Sequence, residues 1–163
     1  MMETIEAIRR HVVVGTSQQR AFEVFTGEMT SWWPAEHHIG STPIEEIVIE
    51  PREGGRWYTR HEDGAETSTG YVAVWDPYDR VVLTWQIAAD WKYDPRLITT
   101  VELRFVAEGP QQTRVELEHR DLENYGPEAE RMRQVFDEPD AWTRTLGAYA
   151  AVLEPGRDQP AEG

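Results

Sequence analysis

The chain has 163 residues, 39% hydrophobic and 10% aromatic, enough for one domain that needs neither disulfides nor a structural metal. Its formal charge is −14, from 30 Asp and Glu against 16 Lys and Arg, which argues against nucleic acid and anionic membrane, since cationic side chains hold both. Cysteine is absent, so thiol nucleophiles, Cys-ligated zinc and iron–sulfur clusters are excluded.

The first segment, Ile5 to Val14, reads as a strand ending in three β-branched residues. It has charges where a signal peptide needs its apolar run, no later stretch is long and apolar enough to span a bilayer, and a cytoplasmic location is expected. Thr16 or Ser17 offers an N-cap for a helix carrying Ala21, Phe22, Val24 and Phe25, stopped by Gly27. A short helical turn from Glu28 to Trp33 ends at Pro34. Six strands follow: Pro43–Glu50, Arg56–His61, Thr67–Trp75, Arg80–Ile87, Ile98–Val106 and Thr113–Arg120. Alternation puts Trp57, Thr59 and His61 on one side of the second, and Val81, Leu83, Trp85 and Ile87 on one face of the fourth. Val101, Leu103 and Phe105 oppose Glu102 and Arg104, and Val115, Leu117 and His119 oppose Arg114, Glu116 and Glu118. Pro127 opens a helix to Phe136, and Pro139 restarts one whose Trp142, Leu146, Tyr149 and Leu153 share a face.

This order implies an α+β architecture. A curved antiparallel sheet of about seven strands wraps around a long C-terminal helix, with two short helices between strands 1 and 2. Residues 1–153 form the single domain, and the tail 154–163 is expected to be disordered. A bent sheet over a helix leaves a space between them, which is the candidate site.

Several strings resemble a known family. They are Ala21-Phe22-Glu23-Val24-Phe25, Ser31-Trp32-Trp33-Pro34, Glu50 to Trp57, Gly70-Tyr71-Val72 with Trp75-Asp76-Pro77, Leu83-Thr84-Trp85, Thr113 to His119, and Ala141-Trp142 ahead of Leu146. In order and spacing they resemble the START-like helix-grip superfamily, which includes the birch-pollen allergen and polyketide cyclases. Within it they resemble the family homologous to the activator of the heat-shock-protein-90 ATPase. The resemblance runs over about residues 5 to 153 and implies the helix-grip fold. It leaves open a ligand carrier, a cyclase- or hydratase-type enzyme, or a protein-interaction domain.

The first reading is a small hydrophobic or aromatic ligand between sheet and helix. Trp57, Trp85, Phe105 and Trp142 supply apolar walls, with Leu117 beside them, and His61 and His119 the polar tips. Of Trp32 and Trp33, one belongs to the core and the other, taken as Trp33, to the cavity wall. The competing reading for every Trp is ordinary core, and for each His a ring satisfied by internal hydrogen bonds. The loop Ala88 to Arg96, with Trp91 and Tyr93, suits a gate. The second reading uses His119 or His61 for proton transfer, with Tyr58 or Tyr71 as donor. The third docks a basic protein on exposed Trp; inward Trp residues favour a ligand and an outward patch a partner. No cofactor is implied, His37 and His38 lack metal-site spacing, and Gly54-Gly55 lacks the helix and Lys of a phosphate loop. The partners implied are a small hydrophobic molecule and, on the family name, a protein or a second copy of the chain.

Overall fold

The computed structural model describes residues 5–153. The C-terminal tail expected to be disordered lies outside them.

Seven antiparallel strands form one sheet in the order β1-β7-β6-β5-β4-β3-β2. They are β1 Ile8–Val14, β2 Ile44–Ile49, β3 Arg56–His61, β4 Glu66–Asp76, β5 Arg80–Trp85, β6 Thr99–Gly109 and β7 Gln112–Arg120. From β2 to β7 each strand pairs with its neighbour in sequence, as short turns between alternating segments require, while β1 closes on β7 from Ile8↔His119 to Val14↔Thr113. Register shifts in β2, β3, β4 and β6 mark β-bulges, which bend strands and curl the sheet.

The excursion between β1 and β2 holds helix α1, Gln18–Gly27, and a 3₁₀ turn, Met29–Ser31. Ser17 caps α1 by accepting from the Arg20 N–H at 3.2 Å. Ala21, Phe22, Val24 and Phe25 are its buried stripe. Helix α2, Ala129–Asp137, is separated from α3, Arg144–Val152, by a wide turn at Pro139–Thr143 in which Ala141 leaves helical geometry (φ −91°, ψ −119°). The long helix is therefore broken where Pro139 predicts it, because proline has no N–H to continue the ladder. Trp142, Leu146, Tyr149 and Leu153 are all buried, as their spacing predicts.

The concave side holds one continuous core. At the α1 end it is filled: Phe22 meets Phe105 at 5.2 Å, and Phe25 meets Tyr149 at 5.2 Å. The Tyr149 hydroxyl donates to Ala21 O at 2.6 Å, tying α3 to α1. On the convex side, Glu102 is only 5% exposed. Arg120 (2.7 Å), Arg104 (2.8 Å) and Arg80 (3.5 Å) close over its carboxylate. Burial pushes its pKa up, but these guanidiniums outweigh that and hold it below the usual carboxylate range.

Strands β4 and β5 approach too closely at Gly70 for any side chain. A Cβ there would lie 2.0 Å from Thr84 O. Beside it Thr84 Oγ1 accepts from the Tyr71 N–H at 2.8 Å and donates to Gln86 Oε1 at 2.7 Å, which accounts for the burial of a side chain on the convex face. Gly70→Ala forces the two strands apart, and denaturant unfolding should show a loss of about 1–3 kcal/mol.

Candidate ligand chamber

The other end of the core is open. A chamber of about 350 Å³ lies between the β2–β5 half of the sheet, the α2–α3 junction and the loop before β2, within the roughly 300–1,000 Å³ range of small-molecule sites.

Its apolar wall is a closed circuit of tryptophans. Trp33 contacts Trp57 (6.3 Å between ring centres), Trp57 contacts Trp85 (5.8 Å), Trp85 contacts Trp142 (5.8 Å) and Trp142 contacts Trp33 (6.1 Å). Every pair is edge to face, the arrangement the indole quadrupole favours. The four come from four elements: the turn after α1, β3, β5 and the α2–α3 junction. Each is therefore both core and wall. Trp32, by contrast, is pure core, 4% exposed with its indole N–H donating to Val24 O at 3.2 Å.

The sheet contributes polar floor residues. Thr59 on β3 pairs with Thr67 on β4, and Thr69 follows on the same face; all three line the chamber. Thr59 and Thr69 have no hydrogen-bond partner for their hydroxyls among the described residues. The rim is acidic, with Glu36, Glu138 and Asp140. Arg144 bridges two of these, at 2.5 Å from Glu36 and 2.9 Å from Asp140. Glu36 lies below the usual carboxylate range through its backbone hydrogen bond and then Arg144, and Asp140 through its hydrogen bond to Arg144. His37 stands 3.7 Å from Asp140, and its carbonyl accepts from the Trp33 indole N–H at 2.7 Å, fixing the loop to the wall. His38 lines the chamber with Nδ1 buried and unpaired.

Of the eight residues picked from the sequence, Trp33, Trp57, Trp85 and Trp142 line this space. Phe105, Leu117, His61 and His119 are not brought to it. Phe105 lies in the filled half against Phe22 and Phe25, and Leu117 is buried in the same continuous core. Strand parity selects a face of the sheet; it does not select a position along a cavity that occupies only part of that face. Tyr58 is stacked under Arg56 and Tyr71 is 39% exposed, so neither stands by as a donor. Trp91, in the expected gate, does line the chamber, 44% exposed and in left-handed geometry (φ 64°). Sequence reasoning did not single out the Thr floor, although alternation had already placed Thr59 beside Trp57. It also set aside the 36–39 loop, whose paired histidines were the available signal.

His119 is fully buried and satisfied. Trp142 Nε1–H donates to its Nδ1 at 3.1 Å, so the ring's hydrogen is assigned to Nε2, which donates to Thr99 Oγ1 at 2.8 Å. Thr99 in turn donates to Trp85 O at 2.9 Å. The chain joins two members of the tryptophan circuit and requires a neutral imidazole. Burial lowers the His119 pKa from 6.5 to about 3. His119 is thus a stability element. Its folded pKa lies below its unfolded value, so as pH falls the unfolded chain takes up the proton first. The stabilisation is complete above about pH 6.5 and is lost progressively toward pH 3. Wild type should be about 2 kcal/mol less stable at pH 5 than at pH 7 from this group alone. His119→Phe should be weaker at neutral pH but should lose that slope, read by denaturant unfolding at both pH values.

The family described as activator of Hsp90 ATPase homolog 1-like protein matches residues 16–153. No curated protein matches the sequence at a significant level. Among solved structures, the chain is 35% identical to Txn09, described as an anthrahydroquino-γ-pyrone synthase complexed with SUM. The match covers 94% of this chain and 100% of that one, with a TM-score of 0.65. It is 25% identical to CalC from Micromonospora echinospora, described as a self-sacrificing resistance protein, over 96% and 97% of the chains with a TM-score of 0.69. The Aha1 dimer from Colwellia psychrerythraea shares the fold alone, at 16% identity over 94% and 99% of the chains and a TM-score of 0.63.

Proposed function

The chain belongs to the activator of Hsp90 ATPase homolog 1-like family, and from that premise we propose that it binds a planar aromatic molecule of polyketide type in the tryptophan chamber. The observation that carries this reading is the closed circuit of four indoles around a 350 Å³ space floored by threonines. Edge-to-face indoles present flat, rigid apolar surface, which suits fused rings better than a flexible acyl chain, whose ordering costs entropy. Threonine hydroxyls without protein partners supply the few polar contacts that orient such a ligand. Glu36, Glu138 and Asp140 at the rim disfavour an anionic ligand and leave a neutral one favoured. The inward tryptophans also support a ligand over a protein partner: Trp91 is the exposed one among the described tryptophans, with no outward Trp patch around it.

A second reading, ring closure of such a molecule, is favoured by the likeness to a γ-pyrone synthase over that chain's whole length. Under it, His38, at the chamber wall with an unpaired Nδ1, replaces His119 as the group positioned for proton transfer.

Titration with neutral anthraquinones should quench tryptophan fluorescence saturably, whereas palmitate should not. Thr59→Phe fills the floor and should weaken anthraquinone binding at least about tenfold while the protein stays folded. Equal response to palmitate, or undiminished binding by Thr59→Phe, refutes the reading. No helix among the described residues is long and apolar enough to cross a membrane, so the titration runs without detergent.

A further inference from the structure

Thr67 is the one floor threonine whose hydroxyl is already engaged, and its partner is a buried histidine. His61 is 1% exposed. Its Nδ1 lies 2.8 Å from the Thr42 carbonyl oxygen, and its Nε2 lies 2.9 Å from Thr67 Oγ1. A carbonyl only accepts, so Nδ1 carries the ring's hydrogen. Nε2 of the neutral ring is then an acceptor, and the Thr67 hydroxyl must donate to it. Gly40 packs against the far side of the imidazole so closely that a Cβ there would sit 2.5 Å from Nε2 and from Cε1. The ring can neither swing away nor exchange its partner for water.

The consequence is a difference among the three floor threonines. Thr59 and Thr69 can donate to a ligand or accept from it, since their hydroxyls have no partner among the described residues. Thr67 has spent its hydrogen on His61 and retains only lone pairs. Its oxygen is also more electron-rich, because a donated hydrogen bond polarises the hydroxyl.

Resting on the ligand-binding reading above, we propose that Thr67 Oγ1, held by His61, is an obligate hydrogen-bond acceptor that selects aromatic ligands bearing a phenolic or enolic O–H. A carbonyl or an ether oxygen placed there meets lone pairs and is rejected. Thr67 is the contact; His61 is a positioning residue that fixes which way the hydroxyl proton points. The pairing follows the logic of a hydroxyl oriented by a histidine that is itself oriented from behind, used here for recognition.

Three rings that differ at one position test this: anthraquinone, 2-hydroxyanthraquinone and 2-methoxyanthraquinone, titrated by tryptophan quenching. Wild type should prefer the hydroxyl compound to the methoxy compound by about three- to tenfold, the worth of one hydrogen bond. Thr67→Val should erase that preference and leave anthraquinone affinity unchanged, and Thr67→Ser should restore it. His61→Phe frees the Thr67 hydroxyl to donate and should shrink the preference with no loss of anthraquinone affinity. If His61→Phe does not fold, the two Thr67 variants still decide the question. A hydroxyl preference that persists in Thr67→Val, or that wild type does not show, overturns the proposal and leaves the chamber reading intact. Failure of all three rings to bind wild type overturns both.

Discussion

The fold depends on the junction where Trp142 meets His119. The indole N–H donates to Nδ1, and the imidazole passes the interaction through Thr99 to the backbone of Trp85. The chain ties the break between α2 and α3 to strands β5, β6 and β7, the centre of the sheet. It also holds two of the four indoles in the geometry that closes the circuit. Buried polar groups are costly unless satisfied, so this neutral histidine fixes one arrangement of helix against sheet.

That junction explains why the interior is half solid and half open. Toward α1, Phe22, Phe25, Phe105 and Tyr149 interlock and leave no usable space. Toward β2–β5, the indoles stand edge to face and brace one another around a gap. An arch of rigid rings keeps the gap open where flexible aliphatic side chains would collapse into it. Pro139 contributes by ending α2 and letting Trp142 enter at an angle a continuous helix would not give.

The polar groups are sorted by depth. On the convex face, Glu102 is satisfied by three arginines and serves the sheet. At the rim, Arg144 links Glu36 on the loop to Asp140 at the junction, exposed and so energetically modest, yet placed where it sets the charge met by an entering ligand. Inside, the threonine floor carries the directional contacts, and His61 behind it distinguishes Thr67 from its neighbours.

The sequence by itself determined the strand boundaries, the inward faces, the helix break at Pro139 and the family, because alternation, proline and turn residues act locally along the chain. It also indicated the four chamber tryptophans and the division of Trp32 from Trp33, since large aromatics on an inward face are either core or wall. Only the tertiary structure decided how far along that face the core is filled. This separated Phe105 and Leu117, which pack, from Thr59 and Thr69, which line a space. It likewise decided that His119 and His61 stand behind the wall, because a histidine's role is set by the partners of its two nitrogens. Those partners, Trp142 and Thr99 for one and Thr42 and Thr67 for the other, include residues brought in from distant parts of the chain.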